Sequence, residues 1–320
     1  MKDSFRLSMD VIESQTKINF GDSILFLGSC FSEEIGNQAI LSGLDATSNV
    51  FGTIFHPRPL GQLLLDAIQA EKNVEFVKSD DLFFNWGSSG KIYALTSNDL
   101  KKRILLEREA LKDKLGKAKF LFITFGSAFA YRHLESDKLV ANCHKQGGSC
   151  FQKELSDIKD LVDFWQGIIR NLINFNSNLQ IVFTVSPVRH LKDGYVENNL
   201  GKACLIQVIS ELTKNQNCSY FPAYELVMDD LRDYRFYKKD LIHPNELAID
   251  YVWNFFCKTY LPKEIVDVCE QVKQIKLGRN HIPLYPESKK VLENKIIMVQ
   301  KEKNLSVNHP TIKWWLSILF

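Results

Sequence analysis

Three short stretches of the chain are apolar at nearly every position and stop on a small residue: Ser23-Ile24-Leu25-Phe26-Leu27 before Gly28, Phe120-Leu121-Phe122-Ile123-Thr124-Phe125 before Gly126, and Gln180-Ile181-Val182-Phe183-Thr184-Val185 before Ser186-Pro187. A strand with one wet face alternates apolar and polar residues. Runs without alternation predict strands buried on both faces, as in a parallel sheet lying between helix layers. Leu44 to Val50 and Cys218 to Phe221 carry a weaker form of the same signal. Between these runs lie Glu33 to Ser42, Leu60 to Ala70, Leu100 to Leu115, Leu155 to Asn174 and Asn198 to Lys214, each long enough and suitably patterned to be a crossover helix. Strand and helix in alternation predict an α/β fold, a three-layer α/β/α sandwich on a five-stranded, mainly parallel sheet.

Two regions break the rhythm. Leu82 to Trp86 and Lys91 to Leu95, joined by Gly87-Ser88-Ser89-Gly90, read as a hairpin inserted near residues 82–96 and lying over the rim of the sheet. After Tyr260-Leu261-Pro262 the strand signals stop, and helical patches over Glu264 to Ile275 and Glu287 to Lys303 alternate with Pro283, Pro286 and Pro310. The expected division is a main domain over residues 1–260 and a C-terminal helical extension over residues 261–320. Its aromatic end, Trp314 to Phe320, is expected to dock on the parent core, because large exposed apolar patches are rare.

Composition narrows the class. With 45% hydrophobic and 24% charged residues among 320, the chain has the make-up of an ordinary soluble globular protein. A net charge of +2 gives no electrostatic ground for a nucleic-acid or membrane-surface partner. The longest apolar runs fall far short of the ~20 residues that span a bilayer. Met1 to Phe20 scatters charges among its apolar residues and lacks a secretory-signal core, so a cytoplasmic location is expected. Seven dispersed cysteines with no Cys-x-x-Cys pair predict reduced thiols and no zinc knuckle, and neither metal nor cofactor is expected.

In an open parallel sheet, ligands gather where the strands end and helix N-termini converge. The first strand runs into Gly28-Ser29-Cys30-Phe31-Ser32, with a helix expected from about Glu33. A thiol in that turn would sit at a helix N-terminus, where the macrodipole and free amides favour a thiolate; the plainer alternative is a small residue packed under the helix. Far along the chain, Asp240-Leu241-Ile242-His243-Pro244-Asn245 precedes a helix over Glu246 to Tyr260. Asp and His three apart can face the same way, the carboxylate orienting the imidazole towards a nucleophile; alternatively Pro244 is simply a first helical residue beside a loop acid.

Together the two ends resemble the Gly-Asp-Ser-Leu esterases of the SGNH hydrolase superfamily and, more narrowly, the GSCFA family, named for its Gly-Ser-Cys-Phe-Ala turn. The residues that carry the likeness are Gly28-Ser29-Cys30-Phe31, with Ser32 in place of Ala, then Phe51-Gly52, Pro57, Asn142-Cys143-His144-Lys145 and Phe183 to His190, followed by Tyr220 to Glu225, Leu231 to Tyr237, and Asp240 to Pro244. The resemblance covers roughly residues 20–260 and implies strand order 2-1-3-4-5. It also implies an acyl-ester hydrolase site with Cys30 as nucleophile, His243 as base and Asp240 as its orienting acid; shifting the alignment by one makes Ser29 the nucleophile. The implied oxyanion donors are the amides of Cys30 and Gly52, with Asn142 standing in for the esterase Asn, since Gly126-Ser127-Ala128-Phe129 follows the third strand where esterases have Gly-x-Asn-Asp. His144 is an alternative donor or a substrate contact. Arg189, His190 and Arg235, together with Arg232, gather near the same edge. They can grip a carboxylate or phosphate on the substrate or pair with Glu225, Asp229, Asp230 and Asp233. The expected substrate is a small-molecule or carbohydrate ester. Two alternatives stand beside hydrolysis: acyl transfer to a carbohydrate-type hydroxyl, and a non-catalytic module that binds a carbohydrate or a protein.

Overall fold

The structure, a computed structural model, describes residues 7–280 and 284–314. In chain order its first half comprises β1 (Ser23–Gly28), α1 (Cys30–Leu41), β2 (Asp45–Ser48), α2 (Pro57–Ile68), β3 (Val77–Ser79), β4 (Leu82–Phe84), β5 (Tyr93–Ala94), α3 (Ser97–Lys117), β6 (Ala118–Phe125), β7 (Phe129–His133), β8 (Lys138–Val140) and β9 (Phe151–Leu155). The second half comprises α4 (Ile158–Phe175), β10 (Gln180–Val185), α5 (Tyr195–Leu212), β11 (Cys218–Tyr220), the short α6 (Ala223–Glu225) running on as a π-helical turn over Leu226–Leu231, then α7 (Glu246–Tyr260), α8 (Lys263–Asn280) and α9 (Lys289–Asn308). One parallel sheet holds the expected five strands in the order β11-β10-β6-β1-β2, which read from the other side is the expected 2-1-3-4-5.

Side chains alternate across each strand and sort the core into two halves. Leu25, Leu27, Leu121, Ile123, Phe125, Ile181, Phe183 and Val185 pack with α2 to α5 on one face. Ile24, Phe26, Phe120, Phe122 and Val182 pack with α1 and α7 on the other. The helix that starts at Cys30 and the helix that follows His243 therefore lie on the same face. Glu34 of α1 meets Lys238, just before the Asp240–His243 loop, and one turn further along Gln38 donates to Asp250 of α7 at 3.2 Å. The segment leading into α7 thus meets α1 nearer its start and α7 itself meets α1 nearer its end, so the two helices run the same way with their N-termini towards the same edge of the sheet.

The expected hairpin forms, with Phe83 opposite Ala94 and Phe84 opposite Tyr93, and gains β3 as a third strand. A second antiparallel sheet, β8-β7-β9, lies in a stretch that the sequence reading left without strands. Its strands are short and carry charge on their faces, as in the Arg132–Glu154 pair, so they give no buried-strand signal. In the C-terminal extension, Ile265 and Cys269 join the α1/α7 core, while Trp314 is buried with Val268, Val272, Ile275, Leu305 and Ile312. The rest of the aromatic end, residues 315–320, lies outside the described residues. No helix among the described residues is long and apolar enough to cross a membrane.

Candidate functional site

The Gly28-Ser29-Cys30 turn is built by backbone approach. Gly28 has φ +128°, and a Cβ there would stand 2.1 Å from the Thr124 carbonyl oxygen, so only glycine fits. Asn49 clamps the turn from β2: its Oδ1 accepts from Gly28 N at 2.9 Å and its Nδ2 donates to Ser29 O at 3.1 Å. Ser29 N donates to Thr124 O at 3.1 Å, and Ile54 N to Gly28 O at 2.9 Å. Helix α1 begins at Cys30, three residues earlier than the sequence suggests, because Ser29 caps it: the Ser29 Oγ accepts from Phe31 N at 3.2 Å. Ser32, where the family turn has Ala, ties the first helical turn to the sheet by donating to Leu27 O at 3.0 Å and pairing with the Thr124 hydroxyl at 2.7 Å. Ser29 is thus buried and occupied by the fold, whereas Cys30 is half-buried.

The expectation of a stabilised thiolate at Cys30 is not met. Burial raises the thiol pKa, and the charges of Glu34 and Glu33 add to the rise, while the amides of Cys30 and Phe31 at the helix start pull the other way and lose. Cys30 is a thiol at neutral pH and needs a base to become a nucleophile.

Asp240 and His243 do form a pair. The imidazole Nδ1–H donates to Asp240 Oδ2 at 2.7 Å, and the other carboxylate oxygen accepts from Ile242 N at 2.9 Å and His243 N at 3.0 Å. Those amides, and then the imidazole, hold the Asp240 carboxyl down to about 2. The loop is anchored by Lys238 N donating to His243 O at 2.7 Å, by a Tyr237–Pro244 bridge, and by Asn245, which caps α7. With Nδ1 committed to the carboxylate, Nε2 is the nitrogen left to accept a proton; it has no hydrogen-bond partner among the described residues. Both side chains are well exposed, Asp240 at 45% and His243 at 42%. Among the described residues Cys30 and His243 share an edge but make no hydrogen bond.

The remaining candidates divide. The Gly52 amide donates to Asn49 O at 2.7 Å to close a turn, so it is spoken for while that turn stands. Asn142 is exposed and uses its Oδ1 to accept from His144 N at 2.8 Å, which leaves its Nδ2 without a partner among the described residues. His144 is buried in an aromatic stack on Phe84, donating from Nε2 to Asn85 O at 2.8 Å, and burial lowers its pKa; this is a neutral ring that holds the inserted sheet. Its Nδ1 is buried without a partner. Arg189 follows β10, half-buried, with Nη2 3.4 Å from the Met228 sulfur. His190 is held by its backbone to Asn198 and packs edge-on against Phe55. Arg235 pairs with Asp233 at 3.0 Å on the surface, as the plainer reading had it.

Two residues that shape this edge escaped the sequence reading. Asn49 is one; its adjacency to Phe51-Gly52 and the tolerance of Asn for positive φ, here 42°, were the available signals. The other is Lys202 of α5, only 2% exposed, whose Nζ donates at 2.7 Å to both Gly126 O and Ser186 O, the carbonyls that follow β6 and β10. Burial drops its pKa to about 7, and Cys30 lies within its electrostatic reach. In sequence it is one lysine inside a helix, with nothing to mark it.

A cleft of about 820 Å³ opens elsewhere, between α2, α4 and the inserted sheets, and touches none of Cys30, Asp240 or His243. Two of its arginines are paired, Arg108 with Asp66 and Arg132 with Glu154, and Arg58 lies over the Phe164 ring. The His56–Ser156 pair nearby is structural: His56 Nδ1 accepts from Arg58 N, so Nε2 carries the proton and cannot serve as a base. No curated protein matches the chain. A family model, that of the GSCFA family, matches residues 23–256, which spans the sheet, the Gly28-Ser29-Cys30 turn and the Asp240–His243 loop; the chain belongs to the GSCFA family.

Proposed function

We propose that the protein is an acyl-ester hydrolase of SGNH type whose nucleophile is Cys30. The observation that carries this reading is the Asp240–His243 pair, joined at 2.7 Å through Nδ1 and set at the same sheet edge as the start of α1. His243 Nε2 takes the proton from the Cys30 thiol, and Asp240 stabilises the resulting imidazolium. The sulfur attacks the acyl carbonyl, and the tetrahedral oxyanion is held by the Cys30 amide and Asn142 Nδ2; Gly52 joins them only if its turn opens. Collapse expels the alcohol, protonated by His243, and leaves a thioester that water cleaves by the same steps. Because Cys30 is a thiol at rest, the base is essential to this scheme. The substrate is a small-molecule or carbohydrate ester. Acyl transfer to a carbohydrate-type hydroxyl is the second reading, favoured by the exposure of His243, which leaves room for an acceptor where water would stand.

A fluorescent alkyl-ester panel, with and without sugar acceptors, tests both. Turnover that disappears in Cys30→Ala and His243→Asn supports hydrolysis, and acceptor-dependent product supports transfer. Turnover that survives Cys30→Ala moves the nucleophile elsewhere, and no turnover with any ester leaves the binding-module alternative.

A further inference from the structure

Arginines that leave the surface normally find a carboxylate. In this chain Arg108 is matched by Asp66 and Arg132 by Glu154, while the half-buried Arg58 lies over the Phe164 ring, 4.6 Å from its centroid. Arg189 is half-buried at the carboxyl edge of β10, and among the described residues no carboxylate comes within 4.0 Å of it. Its hydrogen-bond contact is the thioether of Met228, 3.4 Å from Nη2. A thioether is a weak acceptor, poorly matched to a guanidinium with five donors in a fixed fork. The acids that the sequence offered as partners are engaged elsewhere or too far: Glu225 accepts from the Tyr220 hydroxyl at 2.9 and 2.8 Å, Asp230 accepts from Tyr251 at 2.6 Å, and Asp233 pairs with Arg235. Asp229 is exposed and stands beyond 4.0 Å.

Two phenols share this neighbourhood. The Tyr237 hydroxyl also reaches only the Met228 sulfur, at 3.7 Å, and the Tyr224 hydroxyl has no hydrogen-bond partner among the described residues. Arg189 acts electrostatically on both, opposing the rise that burial imposes on them, a rise to which Asp229 and Glu225 add at Tyr224. So a guanidinium and the Tyr237 hydroxyl meet at one sulfur, with Tyr224 in electrostatic range of the same arginine, and among the described residues none of the three donors has a carboxylate as hydrogen-bond partner. Tyr237 is bridged to Pro244, next to His243, which puts the cluster beside the proposed base.

We propose that Arg189, Tyr224 and Tyr237 form a subsite for an oxyanion, a carboxylate or a phosphate, carried by the substrate of the His243 site. This rests on the hydrolase or transferase reading and narrows its substrate class to acyl esters bearing an anionic group on the acyl or the alcohol side. Planar bidentate capture by arginine, with phenols completing the oxygen shell, selects such a group over a neutral ester.

Binding separates this inference from the activity. Methyl hydrogen succinate and glycerol 1-phosphate, as carboxylate and phosphate probes, and dimethyl succinate, as the neutral one, are titrated calorimetrically into the full chain and into Cys30→Ala. The expected result is that one anionic probe binds both proteins alike, at least tenfold tighter than the neutral probe, and that the preferred probe identifies the anion. Arg189→Met should cut that preference about tenfold, Arg189→Lys less, and Tyr237→Phe about threefold, the last guarding against a misfolded arginine variant. If esters are turned over, Arg189→Met should lower the ratio of kcat/KM for an anionic over a neutral ester. Anion binding without any turnover keeps the subsite and sinks the hydrolase reading. Equal binding of charged and neutral probes, or anion binding that folded Arg189→Met and Tyr237→Phe both retain, overturns the subsite.

Discussion

The two halves of the proposed site are made in opposite ways. The Gly28-Ser29-Cys30 turn is buried, and its shape is imposed from outside by Asn49 and Ile54 of the loop after β2 and by Thr124 of β6. The Asp240–His243 loop is exposed, and its shape comes from its own atoms, a carboxylate that collects two amides and an imidazole within four residues. A part fixed by the core tolerates little change in its backbone, whereas a part fixed by local hydrogen bonds tolerates substitution in stability but not in chemistry. The absence of a Cys30–His243 hydrogen bond among the described residues fits this contrast, since substrate can draw the exposed loop in while the buried turn stays still.

Substitutions sharpen the difference. Asp240→Asn should lower ester turnover on the order of 10³ to 10⁴-fold, because the tautomer with Nε2 free to accept a proton is no longer held by a carboxylate on Nδ1. Its melting temperature should stay close to that of the parent chain, as both side chains are exposed. A large fall in melting temperature with no specific fall in rate would make the loop a structural element. The same carboxyl fixes a pH limit. Its folded pKa, about 2, lies below the ordinary carboxylate value, so the loop's pairing is complete above that ordinary value and is lost as pH falls through about 2. Imidazole NMR shifts followed down to that pH would show it.

Gly28→Ala tests the other half. The new Cβ meets the Thr124 carbonyl at 2.1 Å in a backbone region closed to alanine, and should cost at least ~3 kcal/mol in urea unfolding. A near-neutral result would mean that the turn is as yielding as the loop. Ser29→Ala should cost about 1 kcal/mol, the usual price of a helix N-cap, while ester turnover persists; loss of turnover with stability intact would hand the nucleophile's role to Ser29. The smallest effect is expected from Glu34→Gln. Removing one of the charges that raise the Cys30 pKa should speed its alkylation at fixed pH by a few-fold, read by site-resolved mass spectrometry.

The fold was legible because its strands are buried on both faces: runs such as Phe120 to Phe125 have no second reading, and the sheet order followed from the family likeness that the terminal motifs carry. Asp240 and His243 were legible because they reach each other within one loop. The β8-β7-β9 sheet was not, since its short strands rest on charge pairs such as Arg132–Glu154. The state of Cys30 was not legible either. Spacing shows a helix start but not how deeply a thiol sinks or that Glu33 and Glu34 face it, and those outweigh the dipole. The Gly52 amide illustrates the same limit, because a motif names the residue and not the carbonyl its N–H has already found.

Lys202 gives the fold a proton to lose. In an unfolded chain its amine holds a proton up to the ordinary value of 10.5, whereas in the folded chain, pinned between Gly126 O and Ser186 O, it gives that proton up at about 7. A neutral amine has two N–H bonds to offer, and the fold supplies two carbonyls to receive them. Between pH 7 and 10.5, then, folding through this side chain releases a proton, and its contribution to stability grows as the solution becomes more alkaline. The carboxyl edge of the sheet is fastened most firmly when the lysine that fastens it carries no charge.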